Sequence, residues 1–198
     1  MATFGNTEGG TNGGFLAYWI ADIKYEFLDA VKASPTNSGK ATKITCYVKG
    51  ADTPYQEAMC ALYLGSDKSF IASTQTRIIS GASYDWKDFE FNNPVDITVQ
   101  DYYICAYGNA PDSNPEGFAN LYSYLGRTTD IDVFDYQDII TDYPNWPNPN
   151  TFSDCGDSGY KQLYCTYTET SSCEPLTFSG TGRIYFKDGD GQTIFVIE

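Results

Sequence analysis

The chain has 198 residues, 26 of them acidic against 12 Lys or Arg, with no His and a net charge of −14. That charge repels polyphosphate and anionic lipid, which sets aside nucleic acid and membrane surfaces as partners, and the missing imidazole sets aside the familiar Ser–His and Cys–His nucleophiles. The length suffices for one sandwich of about eight to eleven strands and is short for two independent domains.

In chain order, the aromatic run FLAYWIADIKYEF, 15–27, reads as one long or bulged strand or as two short ones. A turn follows at SPTNSGK, 34–40, and further strands fall at 42–48, 57–64 and 70–79, each ended by Gly, Asp or Ser. The segment DWKDFEF, 85–91, alternates charge with aromatic side chains. Trp86, Phe89 and Phe91 cannot share one face at period two, so a bulge or twist near Lys87 is expected. NNPVDITVQDYYICAYG then turns and runs back. Trp19 and Trp86 read as core residues, and Tyr122 and Tyr124 as one face of a strand. Short strands at this spacing signal a sandwich or barrel rather than βαβ units.

Of the six cysteines, Cys46, Cys60, Cys105 and Cys165 lie inside these strands, where a free thiol behaves as a small core hydrophobe. Cys155 and Cys173 lie in loop-like sequence and are the first candidates for a disulfide. The even count favours an oxidising destination. No CxxC pair is present to hold zinc. The start MATFGNTEGG lacks the basic and apolar regions of a secretory signal, and no stretch approaches the roughly 18 apolar residues of a membrane span.

Glycoside cleavage needs two carboxyls across one cleft. Asp85 with Asp88 or Glu90, and Asp135 with Asp138, are the best of a weak set, which makes a glycoside hydrolase the third-ranked reading and a non-enzymatic role the first. For a hard cation such as Ca²⁺, Asp130, Asp132 and Asp135 in TTDIDVFDYQD supply clustered oxygens, with an edge strand of alternating charge as the competing reading. Asp188 and Asp190 read as turn residues between RIYF and TIFVI. Structural Ca²⁺ is the one cofactor the chain invites. Trp146, in a loop stiffened by Pro144, Pro147 and Pro149, is the foremost sugar platform, with Tyr143 and Tyr160 completing the set. The alternative is that Trp146 folds back as a lid over an open end of the sandwich.

Four stretches, TFGNTEGG, KATKITCYVKG, YDWKDFEFNNPVDITVQDYYICAYG and DYPNWPNPNTFSDCGDSGYKQLYCTYT, together resemble the jelly-roll β-sandwich modules of phage structural proteins and of secreted or surface proteins of bacteria. Trp86, Phe89, Phe91, Pro94, Tyr102 and Tyr103 carry that resemblance in type and spacing. It implies an antiparallel jelly-roll sandwich, usually non-enzymatic and often appended to glycan-active or host-binding proteins. The chain departs from the pattern at the cysteines 155 and 165 and in the tail beyond Cys173.

The expected organisation is therefore a jelly-roll sandwich over 1–170 and a C-terminal β-hairpin extension over 171–198. The extension's strands have consecutive apolar residues, so both faces want cover, and a lone hairpin is marginal in water. The leading expectation is a structural or surface protein of a virion or extracellular assembly, located on a virion, outside the cell or at its surface. It self-associates into a homo-oligomer or polymer and uses the hairpin as an assembly handle. The alternative from another class is a carbohydrate-binding module with glycans as partners.

Overall fold

The computed structural model describes residues 1–8, 12–20, 23–50, 56–79, 81, 83–109, 122–127, 136–139, 144–146, 153–154, 162–170, 184–187 and 193–197. All regular structure among the described residues is β-strand. The strands are β1 (Ala2–Gly5), β2 (Asn12–Ile20), β3 (Ile23–Ala33), β4 (Gly39–Lys49), β5 (Gln56–Leu64), β6 (Phe70–Ser73), β7 (Arg77–Ile79), β8 (Asp85–Ile97), β9 (Tyr102–Asn109), β10 (Tyr122–Arg127), β11 (Tyr136–Ile139), β12 (Ser153–Asp154), β13 (Leu163–Glu169), β14 (Ile184–Lys187) and β15 (Thr193–Ile197). The long aromatic run at 15–27 spans β2 and the start of β3, which pair with each other as a hairpin.

Two antiparallel sheets pack face to face, so the fold is an all-β sandwich. In the first, β1, β13, β4 and β8 lie side by side, and β10 and β2 continue the ladder beyond β4. In the second, β3, β9 and β5 form the centre, β6 and β7 share the far edge of β5, and β11 and β12 extend beyond β3. β3 joins the two, because Ile23 to Glu26 pair with β2 while Leu28 to Ala33 pair with β9. Strand twist lets one long strand serve both sheets in this way.

Alternation along each strand fills the space between the sheets. Ala41, Ile44, Cys46 and Val48 of β4, Phe89 and Phe91 of β8, and Leu163, Cys165 and Tyr167 of β13 face Ala58, Cys60 and Leu62 of β5 and Tyr102, Ile104 and Ala106 of β9. The other face of the second sheet is also buried, by Leu28, Ala30, Met59, Ala61, Tyr63, Tyr103, Cys105 and Tyr107. Burial on both faces explains why β5 and β9 read as near-continuous apolar runs rather than as alternating ones. At Gly5, φ is +106°, and an added Cβ would stand 2.7 Å from the Leu163 carbonyl oxygen and 2.8 Å from Ile104 Cδ1. Only glycine fits that close approach of β1 to β13.

No bulge forms at Lys87. The pairing of β8 with β4 runs without a break from Asp85↔Val48 to Glu90↔Lys43, so Trp86 faces away from the inter-sheet core while Phe89 and Phe91 face into it. Trp86 is thus a half-buried residue of the outer face, not a core residue. The irregularity lies further on, where Phe91 to Pro94 stand opposite Thr42. Apart from its bridge to Thr74 at Phe91, β8 pairs with β4 alone among the described strands, and Pro94 falls in the irregular stretch, where it owes the ladder no N–H.

Thr74 closes the other side of the sandwich. Its N–H donates to the Cys60 carbonyl (2.8 Å), its hydroxyl accepts from the Cys60 N–H (2.9 Å), and it bridges to Phe91 of β8. One side chain therefore completes the β5 ladder where β6 gives way to β7. Thr74→Val keeps the shape but strands the buried Cys60 N–H, and is expected to cost about 1–3 kcal/mol in a urea melt.

In the tail, β14 and β15 pair antiparallel, Ile184↔Ile197 through Lys187↔Thr193, as a two-stranded sheet separate from the main ladder.

Candidate functional site on the outer face of the first sheet

Alternation that sends Ile44, Cys46 and Val48 inward leaves Lys43, Thr45, Tyr47 and Lys49 of β4 on the outer face. β8 aligns its own outer residues with them, Trp86 opposite Tyr47, Asp88 opposite Thr45 and Glu90 opposite Lys43. Tyr164 on β13 stands opposite Thr45 from the other side. The face thus divides into an aromatic half and a charged half.

In the aromatic half the rings of Tyr47 and Tyr84 stack with centres 5.3 Å apart and planes at 16°. Trp86 lies 5.0 Å from Tyr47 and meets Tyr164 edge-on at 5.4 Å. Lys49 Nζ sits 4.9 Å from the Tyr84 ring centre, a cation–π geometry. All four rings are half-buried, so they are held in place by one another yet keep surface exposed to solvent.

In the charged half Asp88 is the organising residue. Lys43 Nζ donates to its Oδ2 (2.6 Å), Thr45 Oγ1 donates to its Oδ1 (2.7 Å), and Arg77 Nη1 donates to its backbone carbonyl (2.7 Å). Partial burial pushes the Asp88 carboxyl up, but the hydrogen bonds from Lys43 and Thr45 and the charges of Lys43 and Arg77 outweigh it and hold the group below the usual carboxylate range. An ionised carboxylate with fixed orientation is an acceptor for hydroxyl groups rather than a proton donor. Beside it opens a cleft of about 320 Å³ lined by Gln75, Thr76, Arg77, Asp88, Phe89 and Glu90.

Asp85 belongs to the opposite side of β8 and is bound to Lys87 (2.6 Å), so the ladder separates it from Asp88 and Glu90. The Lys87 hydrogen bond lowers the Asp85 carboxyl, and hydrogen bonds from Ser34 and then Lys32 lower Asp101. For each of these acids the folded value lies below the unfolded value near 3.9, so its contribution is complete above that pH and is lost as pH falls through the folded value. The melting temperature is therefore expected to fall as pH drops below about 4, with Asp88→Asn flattening that limb. At pH 7 the same substitution should cost about 1 kcal/mol, measurable by urea unfolding.

Trp146 is placed away from this face. Its ring packs on the outer side of the second sheet, 6.1 Å from Tyr63, 6.3 Å from Phe70 and 5.5 Å from Tyr107. It folds back, as the lid alternative anticipated, but onto a sheet face rather than an open end. Tyr143, Tyr160, Asp130, Asp132, Asp135, Cys155 and Cys173 lie outside the described residues. Among the described residues no group of three or more His, Cys, Asp or Glu side chains is placed to hold a metal ion, and Cys46, Cys60, Cys105 and Cys165 are buried free thiols.

Reading Trp86 as a core residue hides the aromatic half in the sequence. The signal was present: in KITCYVKG, Tyr47 alternates with Cys46 and Val48, which puts it on the opposite face from two evident core residues.

No protein-family model matches the chain, and no curated protein matches it.

Proposed function

We propose that the protein is a non-enzymatic carbohydrate-binding β-sandwich whose site is the outer face of the first sheet. The observation that carries this reading is the fixed cluster of Tyr47, Tyr84, Trp86 and Tyr164 beside the ionised Asp88. The apolar face of a pyranose stacks on such rings, and its hydroxyls need oriented acceptors and donors of the kind Asp88, Glu90, Lys43 and Arg77 supply. Because the rings brace one another and Asp88 is held by two side chains, little ordering cost remains to be met on binding. Neutral or basic glycans suit a chain of charge −14 better than sulfated or uronate-rich ones. The test is a glycan array probed with the full chain and with Trp86→Ala. Loss of every hit in the variant supports the reading, and an array with no hit for the full chain overturns it.

A second reading, a structural protein of a virion or extracellular surface with jelly-roll connectivity, draws on the two-stranded β14–β15 sheet and on the segment resemblance. Ile184, Phe186, Ile197, Phe195 and Val196 make that pair strongly apolar, and a hairpin of this size needs a partner surface. Deletion of 171–198 is expected to reduce the number of subunits per particle measured by light scattering. An unchanged subunit number would remove the assembly role from the tail.

A further inference from the structure

We infer that Cys46 and Cys60 join as a disulfide between the two sheets when the chain folds in an oxidising compartment. Cys46 lies on β4 of the first sheet and Cys60 on β5 of the second, and both are fully buried in the shared core. Their Sγ atoms are 3.4 Å apart. Closing to the roughly 2.05 Å of an S–S bond asks for about 1.4 Å of approach. The surroundings are small, since Cys60 faces Ala106 across the β5–β9 ladder and Ala58 lies in the same cluster.

The other described thiols are placed differently. Cys165 shares the inner face but sits on β13, in the same sheet as Cys46, opposite Ile44. Cys105 belongs to the outer cluster of the second sheet. Cys46 and Cys60, facing each other between the sheets with their Sγ atoms 3.4 Å apart, are the pair this geometry favours.

The chemistry is thiol–disulfide exchange with an external disulfide, either a small-molecule disulfide or an oxidoreductase. One cysteine thiolate attacks the external S–S bond, forming a mixed disulfide and releasing one thiolate. The second cysteine thiolate attacks the mixed disulfide at the cysteine sulfur, forming the Cys46–Cys60 bond and releasing the other thiolate. The pair loses two electrons, the external disulfide gains them, and the two cysteine protons pass to the released thiolates. Burial, and then the Cys46 thiol beside it, push the Cys60 thiol well above its ordinary range, so in the closed sandwich it stays protonated and unreactive. Exchange therefore belongs to the interval before the sheets close, and the finished core then shields the bond from reductant.

The test is a non-reducing peptide map of the full chain made once in a reducing cytosol and once by export to an oxidising compartment, with free thiols alkylated under denaturing conditions. The expected result is a peptide pair linked through Cys46 and Cys60, lighter by two hydrogens, in the exported protein only. Its melting temperature should exceed that of the same protein reduced under denaturing conditions and refolded by roughly 6–12 °C, and the Cys46→Ala/Cys60→Ala variant should show no such difference. Alkylation of both cysteines as free thiols in the exported protein, or either one linked to a different cysteine, overturns the inference. The map on the unmutated chain decides it even if the double variant fails to fold.

Discussion

Phe89→Ala is expected to lower the unfolding free energy by about 3–5 kcal/mol, as judged by urea denaturation, and the melting temperature by roughly 6–20 °C. Phe89 is 1% exposed and faces the inter-sheet core opposite Ile44. Truncation removes the ring's burial and leaves a void that β8, held to β4 on one side and to Thr74 and Arg77 on the other, cannot collapse to fill. Against a total stability of about 5–15 kcal/mol for a domain, that loss is a large fraction. Ile78→Ala is the control. Ile78 is 54% exposed on β7, so its truncation should stay within about 0.5 kcal/mol. A Phe89→Ala cost below 1 kcal/mol would mean that the core between β4, β8 and β5 is not packed as described.

Trp86→Ala is expected to weaken glycan binding by about 30-fold or more while leaving the fold intact. Trp86 touches both Tyr47 and Tyr164, so its removal takes away the largest ring and the brace for two others. Because it is half-buried on an outer face, the stability cost should be smaller than that of Phe89→Ala, and the two substitutions separate binding from folding. Trp86→Phe should recover part of the affinity, since stacking area matters more than the indole N–H. Equal glycan affinity in the unmodified chain and in Trp86→Ala would move any binding site elsewhere.

The all-β character was readable from the aromatic and β-branched runs, and the strands at 42–48, 57–64 and 85–91 appear as β4, β5 and the first part of β8. The placement of Cys46, Cys60, Cys105 and Cys165 as buried free thiols was also readable, because each sits among apolar strand residues. The site was harder to read. In DWKDFEF the choice between a bulge that gathers Trp86 with Phe89 and Phe91 and a regular strand that parts them depends on what β4 offers opposite. A continuous ladder to Val48 through Lys43 settled it for the regular strand, and Trp86 moved outward to meet Tyr47. Trp146 reads in sequence as a loop tryptophan among prolines, yet the apolar outer face of β5 and β9 needs cover, and the ring packs there.

What the amino-acid order determined by itself is local. Aromatic and β-branched runs marked the strands, the Gly, Asn and Pro breaks marked the turns, and the lack of histidine and excess of acid narrowed the chemistry. The tertiary structure decided everything that depends on pairing between distant segments. It set Tyr164 beside Trp86, Lys43 and Thr45 on Asp88, and Cys46 against Cys60. Such contacts follow from strand order and register, which are fixed by closing two sheets over one shared core rather than by any short stretch of sequence.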